Sequence, residues 1–163
     1  MDAIKLLETQ HREVEALFKK AEKASSPQRR MQLFLDIADA LAIHTTIEEK
    51  IFYPSVMIPE TQDILLESVE EHLAAKRLIA DLLRLEASDR TFEAKMSVLK
   101  EEVLHHVQEE RKTLFRLVKK HFERDELLEL GEKMGDLADS LEDEEPRNEV
   151  PEQIESAAEL PEA

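Results

Sequence analysis

HTTIEEKIFYP at residues 44–54 and HHVQEERKTLF at residues 105–115 decide how this chain reads. Each stretch holds a histidine with a glutamate four residues on: His44 with Glu48, and His106 with Glu110. Each is preceded by a lone histidine, His11 33 residues before His44 and His72 34 residues before His106. The second half therefore repeats the first with a shift of 61 or 62 residues. Positions i and i+4 lie one turn apart on the same face of an α-helix, so each pair aims an imidazole and a carboxylate the same way.

Outward from these stretches the pattern is helical. Residues 2–24 carry Ile4, Leu7, Val14, Phe18 and Ala21 as an apolar stripe whose gap is filled by His11. Ser26-Pro27 predicts an N-cap and a first helical proline. The helix that follows runs to about Tyr53, with Phe34, Ile37, Leu41, His44, Glu48 and Ile51 on its stripe, and is closed by Pro54 and Pro59. Thr61 is placed to cap a third helix carrying Leu65, Val69, His72, Lys76 and Ile79. Ser88 or Asp89 opens a fourth, with Phe92, Met96, Leu99, Val103, His106 and Glu110. Short connections force neighbours to run antiparallel, so the expected fold is all-α, an up-down-up-down four-helix bundle over residues 1–122. Leu127, Leu130, Met134, Leu137 and Leu141 predict a fifth amphipathic helix over residues 123–142. It would dock on the bundle, or serve a protein partner or self-association. Residues 143–163 lose the apolar pattern and are expected to be a disordered acidic tail.

Composition narrows the chemistry. With two glycines in 163 residues there is no phosphate-cradling glycine loop, and with no cysteine there is no disulfide, thiolate site or iron–sulfur cluster. That fits a reducing cytoplasm. A formal charge of −16 opposes nucleic acid and anionic membranes as partners. Half of that charge lies in residues 142–163, nine acids against one arginine. No apolar run reaches membrane-spanning length, and the N-terminal residues open a helix pattern rather than a signal peptide.

A lone histidine on an apolar stripe is ordinarily a hydrogen-bonded core residue, and a lone His-x-x-x-Glu pair is ordinarily a solvated surface pair. His105 with Glu109, His11 with Glu15, and the helix-terminal His121 fit such bland roles. His11, His44, Glu48, His72, His106 and Glu110 do not, because all six fall on core-facing stripes. Buried without partners, each would cost on the order of a few kcal/mol. A pair of divalent or trivalent cations would neutralise the two carboxylates, with Glu48 and Glu110 bridging and two histidines left for each ion. Imidazole and carboxylate without sulfur suit iron, manganese or zinc.

Residues 5–120, through HTTIEEKIFYP and HHVQEE above all, resemble the hemerythrin family in its HHE cation-binding branch. The resemblance implies a four-helix bundle around a non-haem di-iron centre of two iron ions. It implies His11, His44, His72 and His106 as histidine ligands, with Glu48 and Glu110 as bridging carboxylates. The oxygen carriers of the family place a fifth histidine where this chain has Lys76. Lysine there would either snorkel to water or set its ammonium beside the centre, leaving one iron an open position. Glu49, Tyr53 and Glu109 are placed to support the ligands, Glu49 and Glu109 equally as surface acids. The expected function is binding of oxygen, nitric oxide or a related small oxidant in sensing, storage or stress response. A ferroxidase or peroxidase-like enzyme and a bundle stapled by its metal are the alternatives.

Overall fold

Asp2 and Ser26 start the first two helices by accepting backbone hydrogen bonds, Asp2 Oδ1 from Lys5 N at 2.9 Å and Ser26 Oγ from Arg29 N at 3.1 Å. In the computed structural model, which describes residues 1–160, they lead α1 (Ala3–Lys23) and α2 (Pro27–Ile47). Glu48–Phe52 is a π-helical turn, and α3 (Tyr53–Ser55) completes that rod. α4 (Gln62–Leu83) and α5 (Phe92–Glu109) follow. A second π turn, Glu110–Leu114, leads into α6 (Phe115–His121). α7 is Arg124–Leu141, a 3₁₀ turn spans Pro146–Glu149, and α8 is Val150–Gln153.

The described residues are all-helical. α1 packs on α2, and α4 on α5. The buried core separates into two apolar clusters, one around Phe18, Phe34, Ile37, Ile79 and Phe92, the other around Leu7, Ile47, Phe52, Leu65 and Phe115. α1, α2 and α4 each pass from one cluster to the other through a polar residue: His11 lies between Leu7 and Val14, His44 between Leu41 and Ile47, His72 between Val69 and Ile79. A polar layer therefore crosses an otherwise apolar interior. Each fully buried Leu, Ile or Phe contributes about 1.5–3 kcal/mol, and this is what holds the polar layer in place.

Several boundaries differ from expectation. Thr61 precedes α4 without capping it; its hydroxyl instead donates to Val56 O at 2.7 Å and accepts from Ile58 N at 3.0 Å, tying the α3–α4 connection. α5 begins at Phe92 rather than near Ser88, because Asp89 Oδ1 accepts from Thr91 N and holds a turn there. The stripe of residues 123–142 docks on the bundle's own α1, burying Leu127, Gly131 and Met134. Gly131 is needed for that docking: a Cβ there would lie 2.1 Å from Met1 O.

Within the expected acidic tail, Pro146–Glu149 and Val150–Gln153 form helical turns. Glu145 turns the chain with φ of 50°. Arg147 then grips Asp39 twice, through its backbone N at 3.0 Å and its guanidinium at 2.6 Å. Pro146 and Val150 are buried. Two apolar side chains and one charged clamp suffice to seat an acidic segment that has no helical stripe. Residues 161–163, the end of the expected tail, lie outside the described residues.

Candidate metal centre

The two π turns begin at Glu48 and Glu110. Each is closed by a bond five residues back, from Tyr53 N to Glu48 O and from Phe115 N to Glu110 O. In a regular α-helix residue i+5 points well away from residue i. The wider π turn brings it round, so Tyr53 and Phe115 face inward alongside the glutamates; such turns recur at functional sites. Pro54 follows the first turn but Arg116 holds the matching place in the second, so proline is not the common cause.

All six expected ligands meet in the polar layer, none more than 7% exposed. They form two triads with ligand atoms mutually within 4.8 Å: His11, His44 and Glu110, and Glu48, His72 and His106. The carboxylates serve both. Glu48 Oε1 lies 3.1 Å from His44 Nε2 and 3.1 Å from His72 Nε2. Glu110 Oε1 lies 3.2 Å from His11 Nε2 and 3.1 Å from His106 Nε2.

The donor set fits a metal pair. Both Glu48 oxygens and His44 Nε2 are buried without a hydrogen-bond partner, although His44 and Glu48 are close. His72 Nε2 and His106 Nε2 face each other at 3.2 Å. Their Nδ1 atoms donate outward, His72 to Glu49 Oε2 at 2.7 Å and His106 to Glu71 Oε1 at 2.9 Å, so in the neutral imidazoles that a cation would bind the inward nitrogens carry the lone pairs. His44 Nδ1 likewise donates to Gln10 Oε1 at 2.7 Å. Inward lone pairs and unpartnered carboxylate oxygens converging on one point are the chemistry of cation ligands.

The same crowding dominates the electrostatics. Burial works against charge on His44, but Glu48 and Glu110 overcome it and raise its pKa to about 9. His106 is raised well above the imidazole range against the same burial, chiefly by Glu110. Burial and the neighbouring Glu110 oppose ionisation of Glu48, yet His44 and His106 hold it down to about 2. Glu110 is held well below the carboxylate range, against burial, by His106. Tyr53 is pushed well above the phenol range by burial and by both glutamates.

The supporting residues divide. Tyr53 is fully buried; its hydroxyl donates to Glu110 Oε2 at 3.2 Å and lies 3.3 Å from His72 Nε2. Glu49 orients His72 and also accepts from Lys76 Nζ at 3.1 Å. Lys76 is buried rather than snorkelling freely; its ammonium pairs with Glu49, and the residue lines the cavity that touches the four ligand histidines. Glu109 pairs with exposed His105 at 3.2 Å and, among the described residues, forms no hydrogen bond to the six ligands. Its place is taken by Glu71. Gln10 and Glu71 each precede a lone histidine by one residue, a repeat signal that would have found both.

A sequence model of the family described as Hemerythrin HHE cation binding domain matches residues 2–118. A DNA nickase from Nostoc sp. is 28% identical over 109 residues, covering 67% of this chain but only 31% of that protein. This chain thus spans about a third of the nickase's length. Among solved structures it is similar to a hemerythrin HHE cation binding domain-containing protein, the Rv2633c homolog from Mycobacterium kansasii. The TM-score is 0.77 at 23% identity, covering 98% of this chain and 95% of that one. At that identity the likeness is one of fold.

Proposed function

This chain belongs to the hemerythrin HHE cation-binding family, and we propose that its six buried ligands hold two iron ions as a carboxylate-bridged, non-haem centre. In our reading the centre binds oxygen, nitric oxide or a related small oxidant, in sensing, storage or stress response. The observation that supports it most is the sharing of carboxylates: Glu48 and Glu110 each lie within 3.2 Å of a histidine from both triads, as bridging requires. Bound iron would supply a redox-active, Lewis-acidic pair with open positions; manganese or zinc would also suit the donors. With Lys76 turned to Glu49, no fifth histidine fills the second triad.

The rest of the chemistry belongs to the chain. A cavity of about 40 Å³ touches all four histidines and is otherwise walled largely by apolar residues such as Val14, Leu41 and Ile79. A single water needs roughly 10–15 Å³ by this measure, so the space suits a molecule of a few atoms. Gln10, Glu49 and Glu71 orient imidazoles, and Tyr53 holds a proton between Glu110 and His72. We also read the bundle as up-down-up-down, since early residues of one helix meet late residues of the next, Gln10 with His44 and Glu71 with His106.

Metal analysis after iron-replete expression without added zinc or nickel is expected to give two irons per chain. An absorption spectrum of bridged diferric type should change reversibly with oxygen or nitric oxide. One metal or none would overturn the reading, and a colourless zinc protein would make the metal a staple.

Tyr53 favours one alternative. A buried phenol hydrogen-bonded to Glu110 and 3.3 Å from His72 is placed to pass a proton to the ligand residues, so turnover of hydrogen peroxide would make the protein a peroxidase-like enzyme. The nickase's activity is not carried over, because a chain of charge −16 repels DNA. Among the described residues, no helix is long and apolar enough to cross a membrane; we place the protein in the cytoplasm, where a cysteine-free chain is at home. A protein partner, if one acts, would meet the exposed acidic face of α7.

A further inference from the structure

We propose that Val150 and the strap carrying it, residues 145–153, determine which ligands reach the centre. The inference rests on the reading that a small oxidant binds there. Val150 is 0% exposed and lines the same cavity as the four ligand histidines, together with Leu41, Ile79 and Val103. Among the described residues, it is the one member of that wall that comes from outside the four long helices. The 3₁₀ turn Pro146–Glu149 packs on α2 and α8 packs on α4, so the strap bridges the groove between those helices and sets one side chain into it.

The strap is held by few contacts. Its turn at Glu145 places a non-glycine residue in the left-handed region, which costs free energy that the rest of the strap must offset. Arg147 supplies the clamp on Asp39, and Val150 supplies the buried apolar surface. An element seated by one charged clamp and two buried apolar side chains, Pro146 and Val150, opens more readily than the helices beneath it.

The two sides of the cavity differ in what they admit. Gln10, Glu71 and Glu102 line the other rim, and acids there repel anions. On the strap side the one charged member of the wall, Lys76, is paired with Glu49, and the rest is largely apolar, with Val150 the removable part. Opening of the strap thus admits neutral molecules of a few atoms, and the size of residue 150 sets the upper limit.

Two readouts test this, one of them independent of metal. In metal-free full-length protein, xenon binding followed by NMR probes the cavity, and amide exchange at residues 147–153 probes the strap. In iron-loaded protein, stopped-flow mixing with nitric oxide probes access. Val150→Ala removes two buried methyl groups, so xenon occupancy and nitric oxide association should rise by about tenfold. Asp39→Asn, which leaves the wall intact and loosens the clamp, should speed exchange at 147–153 and nitric oxide association, leaving xenon affinity in the closed cavity unchanged. Faster exchange with unchanged nitric oxide association in both variants would overturn the strap as the route. Unchanged xenon binding in Val150→Ala would overturn Val150 as the wall. Failure of every protein, wild type included, to bind nitric oxide would sink the proposed function instead, and the xenon arm would still judge Val150.

Discussion

Tyr53 and Phe115 are counterparts across the internal repeat: each is the fifth residue after a shared glutamate, and each stacks on a histidine of the layer. Tyr53 lies 5.5 Å from His72 at 22°, and Phe115 lies 6.0 Å from His11 at 10°. Only the tyrosine has a hydroxyl to offer. A similar break occurs one residue after each glutamate, where Glu49 faces Arg111 in the repeat. His72 Nδ1 therefore has a carboxylate partner, whereas His11 Nδ1 is buried without one. The two triads are alike in ligands and unlike in support.

Tyr53→Phe should make the halves alike. Metal content is expected to stay at wild-type level, since the phenol is not one of the six ligands. Any proton-dependent step should slow, seen as a changed pH profile of peroxide turnover or of oxygen release. Loss of metal on this change would make Tyr53 a ligand.

His44→Ala and Glu110→Ala should each lose metal and lower the melting temperature of the metal-loaded protein, because ligand binding energy appears as folding energy. His105→Ala and His121→Ala should keep both, as both side chains are exposed. Inductively coupled plasma analysis alongside thermal melts checks this. An emptied site in His105→Ala with a full one in His106→Ala would refute the ligand assignment on α5.

Glu49→Gln should weaken metal binding by roughly 10–100-fold, the usual effect of losing a carboxylate that orients a ligand imidazole. Lys76→Met should do less, because the ammonium bonds Glu49 rather than a ligand imidazole. Competition titration with a chelator ranks the two. A stronger effect from Lys76→Met would mean that the ammonium acts on the centre directly.

Stability of the metal-free protein should fall as pH rises from neutral. His44 has a folded pKa of about 9 against an ordinary 6.5, so its contribution is full below 6.5 and is lost as pH climbs through 9. Glu48, at about 2 against 4.5, contributes fully above 4.5 and loses its contribution as pH falls through 2. The metal-free melting temperature should therefore peak between those limits, and metal loading should release protons. A melting temperature that climbs steadily from pH 6 to 9 would contradict the assigned shifts.

Gly131→Ala should destabilise the fold by on the order of 1–3 kcal/mol, the usual cost of overpacking, because α7 must move away from the backbone of Met1 and Asp2. Thermal melts would show it, with metal content unchanged since α7 supplies none of the six ligands. Wild-type stability in that variant would mean that the contact gives way freely.

Helical periodicity alone determined the face on which each of the six ligands lies, because a stripe of apolar residues on one helix can point only at the core. That is why His11, His44, Glu48, His72, His106 and Glu110 are legible in the sequence. Periodicity carries no information about what stands across the bundle, and the supporting residues depend on that. Glu71 and Glu109 are both acids on helix flanks, and only the packing of α4 against α5 turns the first to His106 and leaves the second outside with His105. The π turns at Glu48 and Glu110 are hidden from the sequence for a related reason: one extra residue per turn shifts which side chain faces inward without altering composition. Residues 143–160 show the limit most plainly. Their acids and prolines carry no stripe, and the segment is seated by Arg147 meeting Asp39 and Val150 entering a cavity, contacts that exist only once the four helices have built the groove that receives them.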